Sequence, residues 1–369
     1  MQLPTLYKTS SKGATQVLNM EIIGDTYTRT WGQVMGKMQS KSTTAKPKNI
    51  GRSNETTAAE QAIIEAKAVW AKKQKSGYST SEEAPTTVNL PMKVNNYHKH
   101  KKKIIFPCYT SVKLNGVNAE YRLNGENLQL LSRGGEEYTI PPHQRSSVIN
   151  LMHYLDTTSL NGEMYIHGEF LQDITAATKK HNDLTHKLVF HIFDFPEING
   201  DYRTRCEYAY GKVANGTFLM EGITMINVGM ATSHDELDAQ HSQAVAAGYE
   251  GIIIRNSKGL YKYNTRSLDV FKYKLAQDAE FEVRSYGIDK NGHVVFTCWA
   301  TSNHTGDKST FKVKLRGTNE ERLEMAANAA DYIGKWLKVE YEMLSKDGVP
   351  QKPVGIMFRK VDANGEANE

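Results

Sequence analysis

Residues 276–369 alternate apolar and polar side chains along five short runs, "AEFEVRSYGI", "VVFTCWAT", "STFKVKLRG", "KWLKVEYEML" and "VGIMFRKV", with one helical stretch, "NEERLEMAANAADYI", among them. A period of two sends every second side chain to the same face, so each run reads as a strand that must bury one face. Five short strands satisfy that demand, and lose their free edges, by closing into a small barrel. With 369 residues in the chain, there is room for one or two further cores ahead of that barrel.

The preceding region, 104–275, mixes strands such as "SVKLNGVNAEYRL", "NLQLLSRG" and "KLVFHIFDFP" with helices such as "HQRSSVINLMHYL" and "SHDELDAQHSQAVAAG", the texture of an α+β domain. Residues 1–35 read as short strands, and "TTAAEQAIIEAKAVWAKKQKSGY" places Ala, Ile and Trp70 at helical spacing, with lysines late and Gly77 as the stop. This makes 1–80 a small domain of strands, a basic loop over Lys41–Lys48 and one helix. Residues 81–103 read as a linker, turn-rich over "STSEEAPTTVNLP" and basic over "KVNNYHKHKKK".

A net charge of +5 permits a polyanionic partner. The clustering of that charge says more, since "KVNNYHKHKKK" holds five lysines and two histidines in eleven residues. Cys108, Cys206 and Cys298 lie far apart with neither metal spacing nor an even disulfide set, which fits a reducing compartment. No apolar run reaches the ~18 residues of a membrane span, so the expectation is a soluble intracellular protein without a membrane partner.

Lys113, Glu163, Glu250, Lys272 and Lys274 stand at or near strand ends, in "VKLNG", "NGEMYIHGEF", "YEGIIIR" and "VFKYK". A charge beside an apolar strand has to be paired if it is buried. Two acids and three lysines are the parts needed to hold a triphosphate, neutralise it and use one amine as a nucleophile. An amine attacks phosphorus only as the free base, which calls for cationic neighbours or desolvation around it. Lys272 and Lys274, two residues apart, share one strand face. Phe193 in "HIFDFP" reads equally as a platform for a purine and as a plain core residue.

"KLNG" resembles the nucleotidyl-transfer motif of ATP-dependent DNA ligases, and "LSRG", "GEMYIHGEFLQD", "HIFDF", "EGIIIR", "GLYKYNTRS", "FKYK" and "GIMFR" follow in that family's order over residues 104–361. The likeness is greatest to the compact ligases of large DNA viruses and phages. It implies a nucleotidyltransferase (ATP-grasp-like ligase) domain over 104–275 followed by an OB-fold barrel over 276–369, and a monomer that uses ATP and Mg²⁺ or Mn²⁺ on nicked double-stranded DNA. By resemblance, Lys113 becomes adenylated, and Arg133 contacts the nucleotide and the 5′-phosphate at the nick. Glu163 meets the ribose and a metal, Phe193 stacks on adenine, and Glu250 binds metal. Lys272 and Lys274 hold phosphate, Arg359 orients the leaving group, and Arg266 lies near the substrate phosphate.

Asn115 and Asn118 depart from the family's usual aspartate and arginine, and "FRKVDANGE" offers Arg359 and Asp362 without the full basic set. Asparagine at the second of these positions is shared with RNA ligases, which makes RNA-containing nicks the rival substrate. A GTP-using capping enzyme shares the core, and a non-catalytic nucleic-acid-binding protein with a degenerate ligase core is the rival of a different class. "RTWGQVMGKM" resembles a WGR-type domain, with Gln33 where the naming arginine stands. Lys101, Lys102 and Lys103, with the basic loop, are the candidates for contacts to the DNA backbone.

Overall fold

The computed structural model describes residues 1–9, 13–81, 89–216, 220–302 and 305–359. In chain order its elements are β1 (Gln2–Thr9), β2 (Thr15–Ile23), β3 (Thr26–Gln33), β4 (Met38–Thr44), α1 (Ala58–Lys75), β5 (Lys93–Asn96), α2 (Tyr97–His100), β6 (Cys108–Lys113), β7 (Val117–Asn124), β8 (Asn127–Ser132) and β9 (Glu137–Tyr138). Next come α3 (Arg145–Leu155), β10 (Ser159–Tyr165), α4 (Leu171–Lys179), β11 (Val189–Asp194), α5 (Tyr202–Ala214), β12 (Ile223–Met225), β13 (Gly229–Ala231), α6 (His234–Ala246), β14 (Gly251–Asn256) and β15 (Arg266–Tyr273). The chain ends with β16 (Gln277–Ile288), β17 (Val294–Thr301), β18 (Lys308–Leu315), α7 (Asn319–Ala327), β19 (Trp336–Tyr341) and β20 (Val354–Phe358). It divides into one unit of Met1–Met92 with Leu131–Glu137 and Tyr263–Thr265, and a second unit holding the rest.

The first unit is a four-stranded antiparallel meander, β1-β2-β3-β4, with α1 packed on the face that buries Leu3, Met20 and Ile22. Thr57 caps α1 in a reciprocal pair with Glu60, and Lys72, Lys73 and Lys75 fall in its last turn, where cations complement the helix dipole. The basic stretch expected as a loop is partly strand. Its Ser and Thr residues pair across β3, Thr28 with Ser42 at 2.8 Å and Thr26 with Thr44 at 3.0 Å, so Lys41 lies on β4 while Lys46 and Lys48 follow it.

The second unit holds two sheets and a barrel. One sheet runs β12-β11-β10-β7-β8-β9 and the other β13-β6-β14-β15-β5. Side chains of α3, α4 and α5, among them Leu151, Ile174 and Ala209, pack with Leu160 and Phe190 in the first core, each large apolar residue contributing about 1.5–3 kcal/mol. Leu237 and Ala244 of α6 cover Ile252 and Ile254 in the second. The stretch expected as a basic linker is folded from Lys93 onward. β5 joins the second sheet parallel to β15, and Lys101–Lys103 form a turn of 3₁₀ helix after α2. Of the expected connector, residues 82–88 lie outside the described residues, as does Asp362.

The barrel closes in the order β16-β17-β18-β20-β19, as the alternation of 276–369 required. Val294, Phe296, Cys298, Val313, Leu337 and Val339 point inward, and α7 sits between the third and fourth strands. Cys108, Cys206 and Cys298 are buried free thiols. Among the described residues no helix is long and apolar enough to cross a membrane.

Candidate active site

β14 runs antiparallel to both β6 and β15, so the end of β6, the start of β14 and the end of β15 meet at one end of the sheet. Lys113 is the last residue of β6, Glu250 immediately precedes β14 and Lys274 immediately follows β15. Topology thus gathers three charges that the sequence spreads over more than 150 residues. The Glu250 carboxylate accepts from Lys113 Nζ at 2.5 Å on one oxygen and from Lys274 Nζ at 2.6 Å on the other. All three side chains are more than four-fifths buried. The register is held by two glycines. Gly251 has φ +143°, and a Cβ there would lie 2.2 Å from the Tyr273 carbonyl oxygen, so no side chain fits. Gly116 passes so close to β10 that a Cβ would lie 2.3 Å from the Met164 carbonyl oxygen. This brings the turn after Lys113 against the strand that carries Glu163.

Burial pushes the Glu250 carboxyl up, but Lys113 and Lys274 outweigh it and hold the group below the usual carboxylate range. Burial also disfavours charge on Lys274, and its bonds to Glu250 and Glu342 reverse that and raise its pKa. The Lys272 ammonium is pushed down by burial and by the charges of Lys274, Lys113 and Lys352. Glu342 bonds Lys274 at 3.0 Å and Lys352 at 2.5 Å. Against burial, those bonds hold its carboxyl down to about 2. Four lysines therefore face two carboxylates, an excess of positive charge in a partly dry setting that suits a phosphate anion.

The cationic neighbours expected around Lys113 are present, but its amine donates to the acid Glu250 and, at 3.4 Å, to the Leu114 carbonyl. Glu163 lies on β10 opposite Asn118 and His191 in register, and burial holds the His191 imidazole neutral with its pKa near 4. Phe193 is half-buried, packs on the first core and lies under the Arg255 guanidinium at 5.2 Å, a cation–π contact. Arg133 is exposed in the turn after β8, within the segment that belongs to the first unit. Arg266 opens β15, is exposed and donates to the Val94 carbonyl. Lys101, Lys102 and Lys103 are exposed, with Lys101 over the Tyr97 ring at 5.8 Å. Arg359 pairs with Glu280 of β16 at 2.7 Å, so its observed partner is within the barrel rather than in the lysine cluster.

Sequence reasoning missed Glu342 and Lys352, which a barrel hairpin carries to the cluster, and the buried pair Asp194–Arg205 behind Phe193. A cavity of 240 Å³ is lined by Asn115, two residues after Lys113 in the chain, and by Tyr165, Phe170, Leu171 and Met343 among others. Asn115 donates to the Met343 sulfur at 3.3 Å.

A family model described as "ATP dependent DNA ligase domain" matches residues 90–274. The chain is similar to the DNA ligase of an African swine fever virus isolate, 26% identical over 341 residues, which covers 85% of this chain and 78% of that protein. It is 22% identical over 303 residues to the DNA ligase of Enterobacteria phage T6, covering 67% of this chain and 62% of that one. Among solved structures, one named "Pmar-Lig_PreS3" aligns with TM-score 0.64 at 19% identity over 81% of this chain and 72% of its own. A Lig E DNA ligase aligns with TM-score 0.56 at 19% identity, covering 74% of this chain and all of that one. These two likenesses concern the fold. With a match over half its length to that domain, the chain belongs to the ATP-dependent DNA ligase family and is an enzyme of that class.

Proposed function

We propose that this ligase seals 5′-phosphate/3′-hydroxyl nicks in duplex DNA, as a single chain, through AMP carried on Lys113. The observation that carries this reading is the Lys113 amine 2.5 Å from Glu250, within a cluster that also holds Lys272 and Lys274. In the first transfer the free amine attacks the α-phosphorus of ATP. A P–N bond forms, the bond to the bridging oxygen breaks, pyrophosphate leaves and Nζ gives up a proton. An oxygen of the 5′-phosphate then takes the AMP, the P–N bond breaks and the amine regains its proton. Finally the 3′-hydroxyl attacks the 5′-phosphorus, loses its proton and expels AMP. Lys272 and Lys274 stabilise charge on the phosphoryl oxygens, Phe193 and the cavity beside Asn115 receive the nucleoside, and Arg133, Arg266 and Arg359 serve the substrate phosphates.

Among the described residues no group of three or more His, Cys, Asp or Glu side chains is gathered. A small hard cation needs only one or two carboxylates plus substrate phosphates; Glu163 and Glu250, the latter now bonded through both oxygens to Lys113 and Lys274, are the carboxylates that would hold Mg²⁺ or Mn²⁺ beside a nucleotide. Such an ion would draw charge from the phosphoryl oxygens.

The first unit supports a nucleic-acid partner. Arg29 lies opposite Lys41 in register, an arrangement that repels unless an anion joins it. Burial and the charges of Arg29 and Lys8 push the Lys73 ammonium down. Two aromatic rings interleave with these cations, Trp31 at 4.5 Å from Arg29 and Tyr78 at 5.4 Å from Lys73. The unit's ion pairs among the described residues use Lys48 and Lys75 instead. Replacing Lys8, Arg29 and Lys73 together by glutamine is expected to reduce the slope of log affinity for nicked duplex against log salt by about 2 to 3. Titrations at several salt concentrations check this, and an unchanged slope would remove the unit from the DNA interface.

The rival, RNA-containing nicks, rests on Asn118. A panel of nicked duplexes with deoxyribose or ribose on either side separates the two. The all-DNA nick is expected to be sealed fastest with ATP and not with GTP. Sealing of a ribose-bearing nick at least about tenfold faster, a difference of about 1.4 kcal/mol in barrier, would assign the enzyme to RNA.

A further inference from the structure

Beyond β19 the chain continues as a two-stranded ribbon before it re-enters the barrel at β20. Glu342 N donates to the Gln351 carbonyl at 3.0 Å, Gln351 N donates to the Met343 carbonyl at 2.8 Å, and Ser345 N donates to the Val349 carbonyl at 2.9 Å. Among the described residues, three side-chain bonds join the ribbon to the catalytic domain. Glu342 meets Lys274 at 3.0 Å, Met343 meets Asn115 at 3.3 Å and Lys346 meets Asp173 at 3.2 Å. Lys274 itself lies in the connection between β15 and β16, where the catalytic domain passes into the barrel.

Two carboxylates bind the Lys274 ammonium, and they differ in origin. Glu250 immediately precedes β14, in the sheet that carries Lys113. Glu342 arrives with the barrel, and its side chain is about one-third exposed, so solvent and solutes reach it. An ammonium has three donors, and an anionic oxygen on one of them excludes another anionic oxygen from the same place by charge and by contact. We infer that Glu342 belongs to the phosphate site: its carboxylate takes the place on Lys274 that a phosphate oxygen of ATP occupies, and it thereby sets how tightly the cleft holds the nucleotide. Lys352, bonded to the same carboxylate at 2.5 Å, keeps Glu342 charged and gives it a partner when phosphate displaces it.

This inference rests on the reading that Lys274 meets nucleotide phosphate, and the test separates the two. Labelled ATP binding is measured by equilibrium dialysis on the full chain carrying Lys113→Ala, with and without Glu342→Gln, and the rate of lysine adenylation is followed against ATP concentration in Glu342→Gln alone. Removing a competitor raises the fraction of competent sites, so Glu342→Gln is expected to tighten ATP binding, and to lower KM for ATP in adenylation, by about three- to tenfold. A merely structural salt bridge would instead leave binding unchanged or weaken it together with a lower melting temperature, and either result overturns the inference. If Lys274→Ala binds ATP as tightly as its parent, the reading of Lys274 fails first and the inference falls with it. If no adenylation occurs in the unsubstituted enzyme, the nucleophile reading fails, while the dialysis comparison still decides the role of Glu342.

Discussion

Lys113→Ala is expected to fold, to take no AMP from ATP and to lose ATP-dependent nick sealing by at least about a thousandfold. The loss is this large because the amine forms and breaks the covalent bond in the first two transfers. Lys274 is held as an ammonium by Glu250 and Glu342 together, and Lys272, whose ammonium is pushed down by burial and by neighbouring cations, is the side chain that peptide mapping has to distinguish from Lys113. Folding survives because Glu250 keeps its bond to Lys274 when Lys113 is removed, so no buried carboxylate is left unpaired. The same variant is expected to seal a nick that already carries AMP on its 5′-phosphate, since that transfer uses the 3′-hydroxyl and not the amine. Gel assays with the two substrates check both halves. Failure on the pre-adenylated nick would mean that Lys113 has a further role in the last transfer.

The largest effect on stability is expected at Asp194→Ala. Arg205 is 1% exposed and donates to both Asp194 oxygens, at 2.8 and 3.1 Å, and to the Gly200 carbonyl at 2.8 Å. These bonds fasten α5 to the end of β11, next to Phe193. Removing the carboxylate strands a guanidinium in the interior, which costs about 3–5 kcal/mol. Asp194→Leu combined with Arg205→Met removes both charges and is expected to be less destabilising than the single change. Denaturant unfolding of the three proteins decides it. A single variant within ~1 kcal/mol of the parent would show that the pair is solvated or repartnered.

The residues legible in the sequence are those whose position follows from local pattern. Lys113, Glu250 and Lys274 each abut an apolar strand, and the antiparallel order of β6, β14 and β15 brings them together. The barrel was legible because period-two alternation has few other solutions. β4 was not, since its small hydroxyl residues carry no hydrophobic alternation and become a strand only by pairing with Thr28 and Thr26 of β3. Residues 93–103 read as a linker by charge, yet β5 finds a sheet edge more than 170 residues away in sequence that no local signal announces. Glu342 was illegible for the same reason, because its role depends on where a barrel ribbon docks. Arg359 has the right sequence neighbourhood, but its charge is matched by Glu280 across the barrel strands. Local motif order and tertiary partner are separate facts.

Peptide mapping of the enzyme after incubation with ATP and Mg²⁺ tests the central claim most directly. The account requires a single phosphoramide-linked AMP on the peptide containing Lys113, released by acid and discharged when nicked DNA is added. AMP on Lys272 or Lys274, or a Lys113→Ala protein that still becomes labelled, would contradict it.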